Sequence, residues 1–189
     1  MAAKISRFDI HDELTAPAES APILKGALSG SGKLNNFVGV LAGSPAALRG
    51  YARMRSELRR GTLPGATQER IALAVAEANG CTYCLSAHTY LGKHVAKLDD
   101  AELDANRAGT SNDPKAAAAV RFAVKVVHER GHVQESDVRA LKAAGYDDAQ
   151  VVEIVQHVAL NTWTNYINEL AKTDVDFPVV APREHLKRA

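Results

Sequence analysis

Both cysteines of this 189-residue chain fall in one short run, Cys81-Thr82-Tyr83-Cys84, and His88 follows the second by four residues. The thiolate is the reactive form of cysteine, and a nearby base or cation favours it, so this grouping points to redox or nucleophilic chemistry. Three residues along an α-helix bring Cα atoms within ~5 Å, inside the range a disulfide spans, so the pair can close and reopen without rearranging the backbone. His88 lies one turn beyond Cys84 on the same face, with Cα atoms ~6 Å apart, whereas ~10.5 Å of helix separates it from Cys81. His88 is therefore a base for Cys84 rather than for Cys81. Cys81 sits nearer the helix N-terminus, where free N–H groups also lower a thiol pKa. The dipole contributes ~0.3–1 kcal/mol, while a well-placed base is worth roughly 10²–10⁴ in rate, which assigns attack to Cys84 and resolution to Cys81.

Two carboxylates precede the pair. Glu69 stands twelve residues before Cys81 and Glu77 four before it, both on a segment that is apolar on nearly every side. A carboxyl group there is protonated or paired, and either residue can relay protons to the site. The residues alone do not choose between them. Two other readings of the cysteines stand beside the redox one. They are two core cysteines that happen to lie three apart, or they join His88 in a zinc site, which needs a fourth ligand from His94 or Glu69.

The elements that carry these residues read as helices, with no alternating strand pattern. After an irregular arm over residues 1–20, a helix starts near Pro22 and runs past Gly30-Ser31-Gly32. Ser44-Pro45 opens the next, which ends at Arg60 before Gly61. Further helices span about Ala66 to Asn79, Cys81 or Thr82 to Val95, Asp99 to Gly109, Asp113-Pro114 to Arg130, and Ser136 to Ala144. Asp99 with Glu102 reads as a capping box of the acidic type. Asp147 or Asp148 caps a last long helix to Lys172, and a non-helical tail occupies residues 173–189. The expectation is an all-α single domain, one compact bundle of seven or eight helices, with the redox-site helices at 44–95 and the last helix at 147–172.

Composition narrows the function classes. Hydrophobic residues make up 46% and charged residues 24%, an ordinary globular balance. A formal charge of +1 supplies no field to attract nucleic acid or an anionic membrane, and 5% aromatics disfavours base stacking. Two cysteines are too few for a secreted disulfide framework. No run approaches the ~20 apolar residues of a membrane span, and Met1 to Thr15 has no signal-peptide pattern, so a cytoplasmic protein is expected.

Other polar groups are open to two readings. His157, Asn161 and Asn165 recur every four residues on the last helix, as a hydrogen-bonded seam or subunit contact, or as a wall of the active site. His94, His128 and His132 suit surface or helix-end positions. Arg49, Arg53, Arg55, Arg59 and Arg60 read as a solvated helix face, the alternative being a docking surface for an acidic partner.

The spacing of Glu69, Cys81-x-x-Cys84 and His88, with Asn79-Gly80 before the first cysteine, resembles the motif of alkylhydroperoxidase D-like (AhpD-like) proteins of the carboxymuconolactone decarboxylase superfamily. The resemblance covers Ser44 to His94 best. The remainder, including Val158 to Asn161 and Asp174 to Pro178, is similar to peroxidase-related members. The resemblance implies an AhpD-like all-α fold, with Cys84 as peroxidatic thiol, Cys81 as resolving thiol, and His88 and Glu69 in the proton relay. Tyr83 stands where the best-known members carry a second histidine; a tyrosine donates a proton but is a poor base near neutral pH. Tyr83, Glu77 and His157 are secondary candidates.

The implied function is a thiol-dependent peroxidase or disulfide reductase in antioxidant defence. It consumes a peroxide and is restored by an external dithiol, which in the family's pattern is a lipoyl group on a partner protein. Neither metal nor flavin is required, and no Gly-rich nucleotide fingerprint is present. The resemblance also implies a trimeric or hexameric homo-oligomer with contacts from the last helix. The alternatives are a redox-responsive regulatory or binding protein without turnover, and a carboxymuconolactone decarboxylase-type enzyme. The latter ranks lower because that branch is described without the cysteine pair.

Overall fold

Alanine-rich, periodically apolar segments punctuated by Gly, Pro and Asp give helices joined by short turns. The computed structural model describes residues 5–183, and among them are nine helices and no strand. In chain order these are α1 (Ala21–Ser31), α2 (Asn36–Ala42), α3 (Pro45–Arg60), α4 (Gly65–Ala78), α5 (Thr82–His94), α6 (Asp100–Arg107), α7 (Pro114–Glu129), α8 (Glu135–Ala143) and α9 (Asp148–Ala171). No helix among the described residues is long and apolar enough to cross a membrane.

The helix starts are local chemistry. Ser44 accepts from the Ala47 N–H and Asp113 from those of Lys115 and Ala116, each followed by Pro at the first helical position. At α9, Asp147 and Gln150 cap each other's backbone reciprocally. Two details depart from the sequence reading. The helix begun near Pro22 does not pass the glycines. Gly32 takes a left-handed φ of 70°, its N–H closes on Leu28, and Asn35 then caps a separate α2 through the Val38 N–H. This raises the helix count above the expected seven or eight. Nor does Glu102 complete a capping box. Asp99 accepts from the Glu102 N–H, but the Glu102 carboxylate turns inward to Arg70, Asn106, Ser111 and the Asn112 N–H. Burial pushes that carboxyl up, and those donors outweigh it and hold it at about 2.

Helix α4 is the centre of the bundle and packs against α5, α6, α7 and α9. Every residue from Ile71 to Glu77 is buried, as a helix apolar all round requires. Leu73 and Ala76 enter one apolar cluster with Leu24, Phe37, Leu48 and Leu85. Ile71 and Val75 enter a second with Phe122, Ala123, Leu141 and Ile154. Each such aliphatic side chain contributes roughly 1.5–3 kcal/mol. The N-terminal arm is fastened to the chain's other end. Ile5 and Ser6 donate to Asp174 at 3.0 and 3.2 Å, and the Arg7 N–H donates to the Ala171 carbonyl at 2.7 Å.

Candidate active site

The corner between α4 and α5 sets the site. Gly80 adopts φ 69°, its N–H closes on the Glu77 carbonyl, and the Cys81 N–H closes on Ala76. These two bonds form a Schellman ending, which needs a left-handed residue that glycine supplies without strain. The Asn79 amide anchors the corner to α9 through Asn165 Oδ1 at 2.9 Å. The turn places Cys81 at the N-cap of α5, where its sulfur accepts from the Cys84 N–H at 3.3 Å. Cys84 then sits in the first turn of the helix, where backbone donors favour an anion.

The two sulfurs are 2.7 Å apart, with the Cys81 thiol donating to Cys84, and both cysteines are free and buried. Asn168 Nδ2 on α9 approaches Cys84 Sγ at 3.3 Å. Burial pushes the Cys84 thiol up. The hydrogen bond from Cys81, the charge of His88 and the Asn165 and Asn168 amides outweigh it and hold Cys84 below the ordinary thiol value. Cys81 goes the other way, raised by donating to Cys84 and by burial. The pair is therefore polarised, with Cys84 the more acidic thiol and Cys81 the less acidic one that donates to it.

His88 Nδ1 donates to Glu69 Oε2 at 2.8 Å, with side chains 21% and 25% exposed. Burial lowers the His88 pKa, and the Glu69 carboxylate outweighs it and raises it. Burial likewise pushes Glu69 up, and His88, Arg55 and Arg59 hold it down. The bond fixes the imidazole tautomer and leaves Nε2 to exchange protons.

Glu77, the other carboxylate, lies elsewhere. It is 1% exposed, 2.5 Å from Arg107 Nε on α6, and accepts from the Arg183 N–H at 2.6 Å. It binds α6 and the C-terminal segment to α4 and does not reach His88. The Tyr83 hydroxyl donates to Asp176 at 2.8 Å and accepts from the Phe37 N–H at 3.1 Å. Burial raises its pKa, so it stays protonated.

A cavity of about 130 Å³ opens onto this constellation. Cys84, His88 and Glu69 line it, Tyr83 and His157 form parts of its wall, and Cys81 lies behind Cys84, outside the lining. His157 is neutral, its pKa lowered to about 4 by burial, and its Nε2 has no hydrogen-bond partner among the described residues. Along α9, His157 and Asn161 border the cavity, as does Asn168, while Asn165 secures the α4–α5 corner. The arginine face of α3 is a partial correction. Arg49 pairs with Glu19 and Arg60 with Glu57 at the surface, but Arg55 and Arg59 line the cavity. Asn168, Phe37, Tyr51 and Phe177 complete the site without having been singled out in the sequence. Asn168 continues the stripe at i+3 from Asn165, the one signal that marks it.

Among the described residues, no three His, Cys, Asp or Glu side chains converge to hold a metal ion. The fourth ligand of a zinc site is not at hand, because His94 is exposed, its ring centroid 4.4 Å from that of Tyr90, and Glu69 is bonded to His88.

This geometry coincides with a family match. Residues 45–125 match the model of the carboxymuconolactone decarboxylase family. The match spans α3 to α7 and contains Glu69, both cysteines and His88. No curated protein matches the chain. Solved structures extend the likeness to the whole fold. A peroxidase-related protein with an alkylhydroperoxidase AhpD core, from Ralstonia eutropha JMP134, is 22% identical with a TM-score of 0.81, covering 98% of this chain and 96% of its own. A peroxidase-related protein from Silicibacter sp. TM1040 is 20% identical with a TM-score of 0.78, covering 92% and 95%. The debrominase Bmp8, as a variant in complex with 2,3,4-tribromopyrrole, is 16% identical with a TM-score of 0.72, covering 92% and 94%. The fold is the AhpD-like all-α bundle.

Proposed function

We propose that this chain is a carboxymuconolactone decarboxylase-superfamily protein that acts as a thiol-dependent peroxidase, with the Cys81–Cys84 pair as its redox centre. The observation that carries the reading is the polarised pair: Cys84 borders a cavity beside the His88–Glu69 couple, and the protonated Cys81 thiol lies directly behind it. His88 takes the Cys84 proton. The thiolate attacks the distal oxygen of a hydroperoxide, the O–O bond breaks, and the leaving alkoxide takes the proton from His88 as the alcohol departs. Cys84 is then a sulfenic acid. The Cys81 sulfur displaces its hydroxyl, which leaves as water with the Cys81 proton, and a disulfide forms. An external dithiol reduces that disulfide by exchange and becomes a disulfide itself. By resemblance this dithiol is a lipoyl group on a partner protein.

The test is peroxide consumption with dihydrolipoamide. Wild type turns over, and Cys84→Ser is inactive. Cys81→Ser forms a sulfenic acid that dimedone traps but does not complete the cycle. Equal turnover by wild type and Cys84→Ser refutes the reading, and a trappable adduct on Cys81 alone exchanges the two roles. Slow oxidation without turnover, coupled to a change in mass or partner binding, favours a redox-responsive regulator.

We also propose a homo-oligomer with α9 at the contact. Val152, Val155, Tyr166 and Leu170 are 67%, 41%, 63% and 56% exposed along that helix, a run of large apolar side chains facing outward. Light scattering at micromolar concentration is expected to give a multiple of the 20.2 kDa chain mass. A monomer refutes it.

A further inference from the structure

Five arginines lie on α3, and their partners differ. Arg49 and Arg60 are neutralised at the surface by Glu19 and Glu57. Arg55 and Arg59 line the cavity, and among the described residues neither has a carboxylate within ion-pairing distance. They stand one turn apart, so their side chains share a face, an arrangement that like charges oppose. Arg55 is close enough to Arg59 to lower its pKa, the largest influence on that group. Two guanidiniums therefore border a cavity whose one carboxylate, Glu69, is already bonded to His88. Glu69 feels both guanidiniums, so this one carboxylate faces three cationic groups, and a ligand's negative charge would offset the remainder. Arg55 also stacks at 5.9 Å over the Tyr51 ring, which holds the plane of the guanidinium and leaves its edge donors free.

The rest of the cavity is of another character. Phe37, Tyr51, Leu160 and Phe177 supply apolar wall, with Tyr51 and Phe37 edge-to-face at 5.2 Å. At about 130 Å³ it approaches the ~150 Å³ cavities that hold one benzene. Cys84 is at the same cavity's wall.

We propose that Arg55 and Arg59 form an anion subsite, and that the substrate is a small organic hydroperoxide bearing a carboxylate. Its ring or short alkyl body fills the apolar part, its carboxylate meets the two guanidiniums, and its hydroperoxy group reaches Cys84. The hydroperoxide half of this statement rests on the peroxidase reading above; the carboxylate half does not. The carboxylate takes no part in bond making or breaking.

Two measurements separate the halves. Calorimetric titration of the reduced protein with benzoate, benzamide and inorganic phosphate tests the subsite without any chemistry. Benzoate is expected to bind about 10- to 100-fold more tightly than benzamide, the range for a charge-assisted pair. The preference collapses in the double variant Arg55→Gln/Arg59→Gln, returns in large part in Arg55→Lys/Arg59→Lys, and weakens with added salt. Equal binding of benzoate and benzamide overturns the subsite. Phosphate binding as tightly as benzoate overturns the organic part of the claim. Loss of Cys84 thiolate in the Gln variants, with no benzoate binding by wild type, assigns the arginines to the thiolate and also overturns it. In parallel, wild type is given cumene hydroperoxide and its para-carboxylate, with kcat/KM for the carboxylate expected to be at least about tenfold higher. Benzoate binding with neither hydroperoxide consumed refutes the peroxidase reading and leaves the subsite standing.

Discussion

Replacing Glu69 by Gln tests the relay most directly, because it keeps the shape and removes the charge that holds His88. The His88–Glu69 bond is 2.8 Å, between side chains 21% and 25% exposed. A hydrogen bond to a charged group contributes about 1.5–3 kcal/mol, or about 10- to 100-fold in a rate that depends on it. Glu69→Gln is therefore expected to slow Cys84 oxidation about 10- to 100-fold in stopped-flow experiments with excess peroxide. The pH profile moves as well. Burial lowers the His88 pKa and the Glu69 carboxylate raises it, so removing the carboxylate shifts the His88 limb of the profile to lower pH. Stability carries a matching sign. The Glu69 pKa is lowered by folding, so its contribution is present above the unfolded value of about 4.3 and lost as pH falls through the folded one. The His88 pKa is raised, so its contribution is present below about 6.5 and lost as pH rises through the folded value. Urea unfolding of the variant should show its largest deficit between about pH 4.5 and 6.5, shrinking as pH rises through the folded His88 value. A variant that reacts within twofold of wild type, with an unmoved profile, refutes the relay.

Four further outcomes follow from the same geometry. Asn168→Ala removes a donor to Cys84, so the thiolate pKa read from the pH dependence of iodoacetamide alkylation should rise; an unchanged value shows that the amide does not support the anion. Glu77→Gln leaves Arg107 and the Arg183 N–H without their buried carboxylate and should cost about 3–5 kcal/mol in urea unfolding, with the rate of thiol oxidation in the folded fraction unchanged. Gly80→Ala forces a left-handed alanine into the α4–α5 corner and should cost about 1–2 kcal/mol by the same assay. His157, with a folded pKa of about 4 against about 6.5 unfolded, should make wild type lose up to about 3 kcal/mol as pH falls from 6.5 to 4, a slope that His157→Gln flattens.

What the sequence made legible divides along the reach of a helix. The cysteine pair and His88 occupy one helix start, where spacing alone fixes their relative placement, and the polarity of the pair follows the same local logic. The caps at Ser44, Asp113 and Asp147 were readable because each is a side chain bonding its own neighbours. The break between α1 and α2 was not, since Gly30 to Gly32 can interrupt a helix or be carried by it, and Asn35 decides the matter. The choice between Glu69 and Glu77 was beyond it for a geometric reason. Eight residues turn a helix by ~800°, which leaves the two carboxylates ~80° apart on the surface of α4. That angle sends one toward α5 and His88 and the other toward α6 and Arg107, and only the packing of those helices says which is which.

The same reasoning explains why reactivity was easier to read than selectivity. The groups that ionise Cys84 include its own helix-mates, Cys81 and His88, but the Asn168 amide comes from α9, 84 residues away. The cavity wall is drawn from α2, α3, α9 and the C-terminal segment, which share no spacing with the cysteines. Arg55 and Arg59 are indistinguishable in sequence from Arg49 and Arg60, all being basic residues on one helix. They differ in what lies beside them: surface acids for one pair, a cavity with a thiol in its wall for the other. A chain of this fold could keep its Cys-x-x-Cys and His intact and still change substrate by altering α3 or α9. For that reason the charge of the α3 face, rather than the cysteine motif, is where specificity is to be sought.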